Sequence, residues 1–101
     1  MEYNAYLYKG DNIRLDLRNI DGYIIDYICS LDQEELEHQI SERIIEIFNN
    51  LKGNNILNLF TAAVNQIPPL LILIKICSKF QIALNLYFYS PIEEKFYKYE
   101  I

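Results

Sequence analysis

The sequence has few of the residues that metal sites and catalytic centres use. Its 101 residues include one histidine, two cysteines and no tryptophan. One imidazole and two thiols do not complete the usual ligand set of a structural zinc site, and a disulfide framework needs more cysteines. Cys29 and Cys77 both follow apolar residues, where a free thiol packs as a small hydrophobic side chain. We therefore expect no bound metal and no disulfide.

Long apolar runs and an excess of basic charge are also missing. The longest apolar stretch, residues 67–77, is interrupted by Lys75 and is shorter than the about 20 residues of a membrane-spanning helix. The first residues carry neither the basic nor the apolar segment of a signal peptide. The net charge of −5 argues against general DNA binding, which needs a basic face. These features predict a cytoplasmic protein outside the membrane.

What is present is the composition of a globular domain. Hydrophobic residues make up 51% of the chain, and there are only three glycines and three prolines. This length accommodates one hydrophobic core, so we expect residues 1–101 to form a single domain.

The N-terminal part predicts strands. Residues 3–8 and 12–18 alternate between apolar and polar side chains, as half-buried strands do. The residues between them, around Gly10, have turn chemistry, so the two runs predict a β-hairpin. Residues 20–28 fit either a short strand or an irregular segment over the core.

The clearest helix signal begins at Ser30. Gln33 lies three residues later, as in a capping box, and acidic residues crowd the first turn. Apolar residues recur every three or four positions and form one stripe: Leu36, Ile40, Ile44, Ile47, Phe48 and Leu51. Lys52 and Gly53 predict the end of the helix. His38 lies off the stripe, so we expect an exposed side chain that is not a general base.

A second helix follows an apolar strand at residues 56–60. Proline lacks a backbone N–H and is tolerated only in the first turn of a helix, where the N–H groups have no partner within the helix. Pro68 and Pro69 therefore belong to the first turn of this helix. Asn65 is the expected N-cap of this helix.

The C-terminal part predicts a strand at residues 82–89, a turn from Ser90 and a return strand at residues 95–101. A strand, a helix and a second strand in this order form a β-α-β unit, which is right-handed with parallel strands. The sequence thus predicts an α/β domain, with α+β as the alternative. Its parts are a small mixed sheet, an N-terminal hairpin, a central β-α-β unit, a C-terminal hairpin and two helices.

A ligand site is expected beyond the carboxyl ends of the parallel strands, where the next helix begins. Residues 60–66 occupy that position, and Ser90 follows the neighbouring strand. The helix N-terminus favours an anion such as phosphate, and no Asp or Glu occurs between Glu46 and Glu93. Buried segments also contain few charges, so this pattern fits a plain core equally well. Neither glycine-rich phosphate motif is present, and we expect no dinucleotide or other cofactor.

Nine tyrosines are the other unusual feature. Six lie at alternating positions of the terminal strands, where they can line one sheet face: Tyr6, Tyr8, Tyr87, Tyr89, Tyr97 and Tyr99. Tyrosine is frequent at protein interfaces and stacks on nucleobases, and it is also common on ordinary half-exposed sheets. We expect Tyr87, Tyr97 and Tyr99 to form the interface of a homo-oligomer, most simply a symmetric dimer.

Three segments in the second half carry a family resemblance. Residues 56–63 read ILNLFTAA and precede a helix, residues 83–89 read ALNLYFY, and residues 95–99 read KFYKY. From residue 56 onward the chain resembles the C-terminal part of CARF and SAVED domains. These are Rossmann-like sensors of cyclic oligonucleotides in CRISPR and related bacterial anti-phage systems.

In SAVED domains a strand ends in a His-Leu-Phe-x-Ala-like segment, which Leu59, Phe60 and Ala62 match, and Thr61 matches the threonine often found in the CARF loop. The resemblance implies a homodimer with a shared pocket. It also implies a ligand-binding edge that consists of Phe60, Thr61, Ala62, Asn65, Gln66, Tyr89 and Ser90.

These features leave three classes of function. The first is a binding module that senses or sequesters a cyclic oligonucleotide or a similar anionic nucleotide in prokaryotic defence or viral counter-defence. The second is a structural or interaction protein that forms a homo-oligomer through its tyrosine-rich sheet. The third is a metal-independent ring nuclease that positions the ligand's own 2′-hydroxyl. No catalytic residue is assigned, because the sequence places no nucleophile, base and orienting group together.

Overall fold

The computed structural model describes residues 1–9, 19–26, 32–49, 51–62 and 67–101. Within these ranges the chain forms, in order, β1 (Glu2–Tyr8), β2 (Gly22–Ile25), α1 (Gln33–Ile47), β3 (Ile56–Thr61), α2 (Ile67–Lys79), β4 (Ala83–Ser90) and β5 (Lys95–Glu100). The strands form a 5-stranded sheet in the order β2-β1-β3-β4-β5. Strands β1 to β4 are parallel, and β5 is antiparallel to β4. The predicted mixed α/β fold, with its β-α-β unit and C-terminal hairpin, is confirmed.

β1 lies inside the sheet. Its residue Ala5 is in register with Gly22 of β2 on one side and with Leu59 of β3 on the other. Residues 12–18, which the sequence predicts to pair with β1 in a hairpin, lie outside the described residues. In the described part of the chain, both neighbours of β1 are parallel to it. Residues 20–28, for which the sequence allowed either a strand or an irregular segment, contain the strand β2.

Both helices pack on the same face of the sheet. α1 contacts β2 and α2, and α2 also contacts β4. We call this side of the sheet the helix face. The core between the helices and the sheet contains one large apolar cluster with fully buried members from every layer, among them Leu7, Ile40, Leu57 and Leu73. In the described part of the chain, no helix combines the length and the apolarity needed to cross a membrane.

Side chains alternate along each strand, so the other half of them point away from the helices. We call this side the second face. The registers place on it Glu2, Asn4, Tyr6, Ile56, Asn58, Phe60, Asn85, Tyr87, Tyr89, Phe96, Lys98 and Glu100. None of the described helices covers this face.

Both ends of α1 differ from the sequence prediction. Its N-cap is Asp32, whose Oδ1 accepts a hydrogen bond from the Glu35 N–H at 2.8 Å, so the cap predicted at Ser30 is wrong. Aspartate and serine are similarly good caps, and the sequence pattern alone does not choose between them. The helix ends at Ile47, five residues before Lys52, with the fully buried Phe48 as its C-cap.

Candidate functional site

The carboxyl ends of β3 and β4 lie side by side, as the sequence predicts. Thr61 is in register with Phe88, so Ala62 and Tyr89 follow at the same edge of the sheet. The Thr61 side chain is fully buried, whereas Ala62 is exposed. Ser90 is half-buried, and its Oγ accepts a hydrogen bond from the Glu93 N–H at 3.3 Å. Among the predicted ligand residues that the structure describes, Ala62, Tyr89 and Ser90 are therefore at least partly accessible.

Two further predicted ligand residues, Asn65 and Gln66, lie outside the described residues. The predicted start of α2 at Asn65 lies there as well, and the described helix begins at Ile67. The anion site predicted at this helix terminus is thus described only from its β3 and β4 sides.

An aromatic cluster lies on the second face next to this edge, and it consists of Phe60, Tyr87, Tyr89 and Phe96. The rings of Phe60 and Tyr87 are stacked, with centroids 4.6 Å apart and an interplanar angle of 13°. Phe96 meets Phe60 edge to face at 5.6 Å and lies 5.3 Å from Tyr89. Phe60 is only 2% exposed, so it forms the base of the cluster. Tyr87 and Tyr89 are half-buried, so both residues remain partly accessible to solvent.

A cation adjoins the aromatic cluster. Lys98 Nζ lies 5.9 Å from the centroid of the Tyr87 ring and 3.2 Å from Glu100 Oε1. The hydrogen bond with Glu100, followed by the interaction with Tyr87, raises the pKa of Lys98, so its ammonium group stays charged at neutral pH. The cluster therefore combines partly exposed aromatic residues with an ammonium group, ion-paired to Glu100, at the same surface.

The prediction that one sheet face carries all six terminal-strand tyrosines is wrong. Tyr6, Tyr87 and Tyr89 share the second face, but Tyr97 is in register with Phe88 and Tyr99 with Leu86, both on the helix face. Tyr99 meets Phe88 there at 6.1 Å, edge to face. The register of the β4–β5 hairpin decides this, and alternation within each strand does not reveal it. The three predicted interface tyrosines, Tyr87, Tyr97 and Tyr99, therefore do not form one patch.

A row of amide side chains crosses the second face, and the sequence analysis missed it. Asn58 Nδ2 donates to Glu2 Oε2 at 2.6 Å and to Asn4 Oδ1 at 2.9 Å. Asn85 Nδ2 donates to Asn58 Oδ1 at 3.0 Å, and Asn4 Nδ2 donates to the Asn19 carbonyl at 3.0 Å. We call Asn4, Asn58 and Asn85 the asparagine row. The available signal was an asparagine in the same position of the two similar segments ILNLF and ALNLY.

The strand order also marks a place that the sequence analysis did not choose. The chain moves from β1 outward to β2, but from β3 outward to β4 on the opposite side. In open α/β sheets, ligands bind beside such a switch in direction, which here lies between β1 and β3. Lys9 follows β1 at this edge, and its Nζ lies 3.5 Å from Asp26 Oδ1 in an exposed ion pair.

Groups for acid–base or metal chemistry are not assembled in the described residues. His38 is exposed on α1, and its Nε2 lies 3.1 Å from Glu42 Oε1, as expected for a surface residue. Cys77 is buried, and Cys29 lies outside the described residues. Within the described ranges, no three His, Cys, Asp or Glu side chains form a metal-binding cluster.

The arrangement is chemically suited to binding. Aromatic rings stack on planar groups such as nucleobases, amides form hydrogen bonds with the polar edges of the bases, and lysines attract anions.

Comparison with protein-family models, with curated proteins and with solved structures gives no match. The second face and its carboxyl edge are therefore the features of the molecule that indicate a function.

Proposed function

We propose that this chain is a small binding module that holds an anionic nucleotide at the aromatic cluster and the adjoining carboxyl edge of the sheet. The resemblance to CARF and SAVED domains favours a cyclic oligonucleotide as the ligand. It favours sensing or sequestration in prokaryotic defence or viral counter-defence as the role. The observation that carries the proposal is the aromatic cluster, with Tyr87 and Tyr89 partly exposed beside each other.

Base stacking is the first contribution to affinity. Stacking on an aromatic side chain contributes about 1–3 kcal/mol per base and needs a ring held in place. Tyr87 is held by its stacked contact with Phe60, and Tyr89 by its contact with Phe96. Because these rings are fixed before a ligand arrives, binding orders few additional side chains.

Attraction of phosphate is the second contribution. Lys98 lies beside the cluster, and Lys9 follows β1 at the same edge of the sheet. β1 and β4 are two strand spacings apart, about 10 Å, which a ligand with two or more nucleotides can span. β3 and β4 themselves contain no Asp or Glu. The two carboxylates of the neighbouring strands on this face, Glu2 and Glu100, are in register with Ile56 and Asn85, away from the carboxyl ends of β3 and β4.

The test is a thermal-shift titration against cyclic di-, tri-, tetra- and hexanucleotides. A ligand that binds only the folded state, at a hundred times its Kd, adds about 2.7 kcal/mol, which is several degrees in Tm for a domain of this size. We expect one ring size to produce this shift and the ring to be recovered intact by chromatography. A cut ring would instead support the ring-nuclease alternative.

Two tyrosine variants locate the site. Tyr89→Ala removes a stacking ring, and we expect it to weaken binding at least about tenfold. Tyr97→Ala is the matched control, because Tyr97 lies on the helix face of the same hairpin, where the Lys95 Nζ lies 4.9 Å from its ring centroid. No shift with any ring contradicts the proposed ligand, and equal binding by both variants contradicts the proposed site.

A further inference from the structure

In the described part of the chain, β5 is an edge strand, and no other strand pairs with its outer side. Ile101, directly after β5, donates its N–H to the Leu84 carbonyl at 3.0 Å, so its backbone groups point towards β4. Backbone groups alternate in direction along a strand, so those of Phe96, Lys98 and Glu100 point outward. Five of the six residues of β5 are exposed. An exposed edge of this kind is a template for another strand.

The opposite edge of the sheet is built differently. β2 has only four residues, and α1 packs against it. The Arg43 Nε donates to the Tyr23 carbonyl at 2.8 Å, which ties this strand to the helix. β5 is thus the longer and more accessible of the two edges.

The side chains of β5 are self-complementary in one register. A two-fold axis at Tyr99 pairs Lys98 of each copy with Glu100 of the other. The same register pairs Tyr97 with Ile101 and Tyr99 with itself. Tyr97 is 38% exposed, Tyr99 53% and Ile101 60%, and all three lie on the helix face.

The neighbouring registers lack this complementarity. A two-fold axis at Lys98 places the two lysines directly opposite each other, and one at Tyr97 places Glu100 opposite Glu94. Like charges directly opposite each other destabilise a strand pair, whereas opposite charges stabilise it. In the register centred on Tyr99, the existing Lys98–Glu100 pair, 3.2 Å apart, becomes part of a four-charge arrangement in which each charge has opposite neighbours.

We propose that a second copy of this chain pairs with the first through β5, antiparallel and with the two-fold axis at Tyr99, to form one continuous sheet. Backbone hydrogen bonds of Lys98 and Glu100, their ion pairs on the second face and the row of Tyr97, Tyr99 and Ile101 on the helix face stabilise the dimer. The surface differs from the tyrosine patch expected from the sequence, because Tyr87 takes no part in it.

The test is a charge reversal and its rescue, measured by sedimentation equilibrium without ligand. The protein is expected to have twice the 12.0 kDa mass of one chain. Lys98→Glu alone and Glu100→Lys alone each create like-charge pairs on both sides of the axis, and we expect each to raise the dimer Kd at least about tenfold. The double variant Lys98→Glu/Glu100→Lys restores opposite charges and is expected to return the Kd to within about threefold of the original.

Lys95→Glu is the matched control, because it makes the same charge change on the same strand but outside the paired segment. We expect it to leave the dimer intact, with circular dichroism confirming that every variant is folded. A monomer at all concentrations up to about 1 mM overturns the proposal. A dimer whose Kd is unchanged in both single charge-reversal variants overturns it as well. Because no nucleotide is present, either result leaves the ligand proposal to its own test.

Discussion

At the scale of single residues, the most informative group is the asparagine row. Asn58 is 5% exposed, and a buried amide is costly unless its donors and acceptor are bonded. The contacts with Glu2, Asn4 and Asn85 meet this need across three adjacent strands. The sequence shows the asparagines, but only the parallel register brings them together. The same polar row gives a face otherwise rich in aromatics a fixed hydrogen-bonding pattern.

Cys77 gives a prediction at the same scale. Burial raises the pKa of its thiol from 9.0 to about 12, so the folded state holds this proton more tightly than the unfolded state. The resulting stabilisation is complete below pH 9 and is lost as the pH rises towards 12. We expect the free energy of unfolding to fall across this range by up to about 4 kcal/mol more than in a Cys77→Ala variant.

Urea denaturation at pH 8 to 11, at half-unit steps, measures the part of this difference that develops by pH 11, about 2.7 kcal/mol. Lysine and tyrosine side chains also titrate in the range, but they are common to both proteins and cancel in the comparison. Parallel stability curves for the protein and the variant would contradict a buried, protonated thiol.

At the scale of elements, α1 shows what periodicity predicts well. Its apolar stripe is confirmed, since Leu36, Ile40, Ile44 and Ile47 are all buried. The helix ends are less well predicted because several residues suit the cap positions. The C-cap residue Phe48 is fully buried, and its ring centroid lies 6.3 Å from that of Tyr3. The helix thus ends at a residue that packs into the core, earlier than the sequence predicts.

The N-cap gives the prediction for this element. Asp32→Ala removes the acceptor of the Glu35 N–H, and we expect it to destabilise the protein by about 1 kcal/mol. Glu34→Ala is the control, because it removes an exposed acidic group from the same turn without removing the cap, and we expect a loss of a few tenths of a kcal/mol. Equal losses in urea denaturation would show that charge, not capping, stabilises this helix end.

At the scale of the whole molecule, the distribution of buried apolar residues predicts where the fold opens. The core cluster draws on β1 to β4 and both helices, but β5 contributes no residue to it. We therefore expect β1 to β4 and the helices to unfold together, while β5 opens locally at lower free energy.

Amide hydrogen exchange tests the expected local opening of β5. It is measured on the Lys98→Glu variant, in which β5 is expected to pair with β4 but not with a second copy of the chain. Protection in β3 should approach that of global unfolding, and protection in β5 should be clearly lower. The original protein serves as the comparison, since dimer formation through β5 would raise protection in that strand alone. Equal protection of β3 and β5 in the variant would contradict the prediction.

The sequence by itself determined the types of the described elements other than β2, and with them the β-α-β unit, because apolar spacing, prolines and turn residues act over a few positions along the chain. It also determined that α1 is amphipathic and that His38 is a surface residue. Only the tertiary structure decided that β1 lies between two parallel strands and that Tyr97 and Tyr99 lie on the face opposite Tyr87. It also decided that three asparagines meet in a row. The physical reason is that strand order and register depend on hydrogen bonds and packing between segments distant in the chain, and a shift of one residue moves every side chain of a strand to the other face.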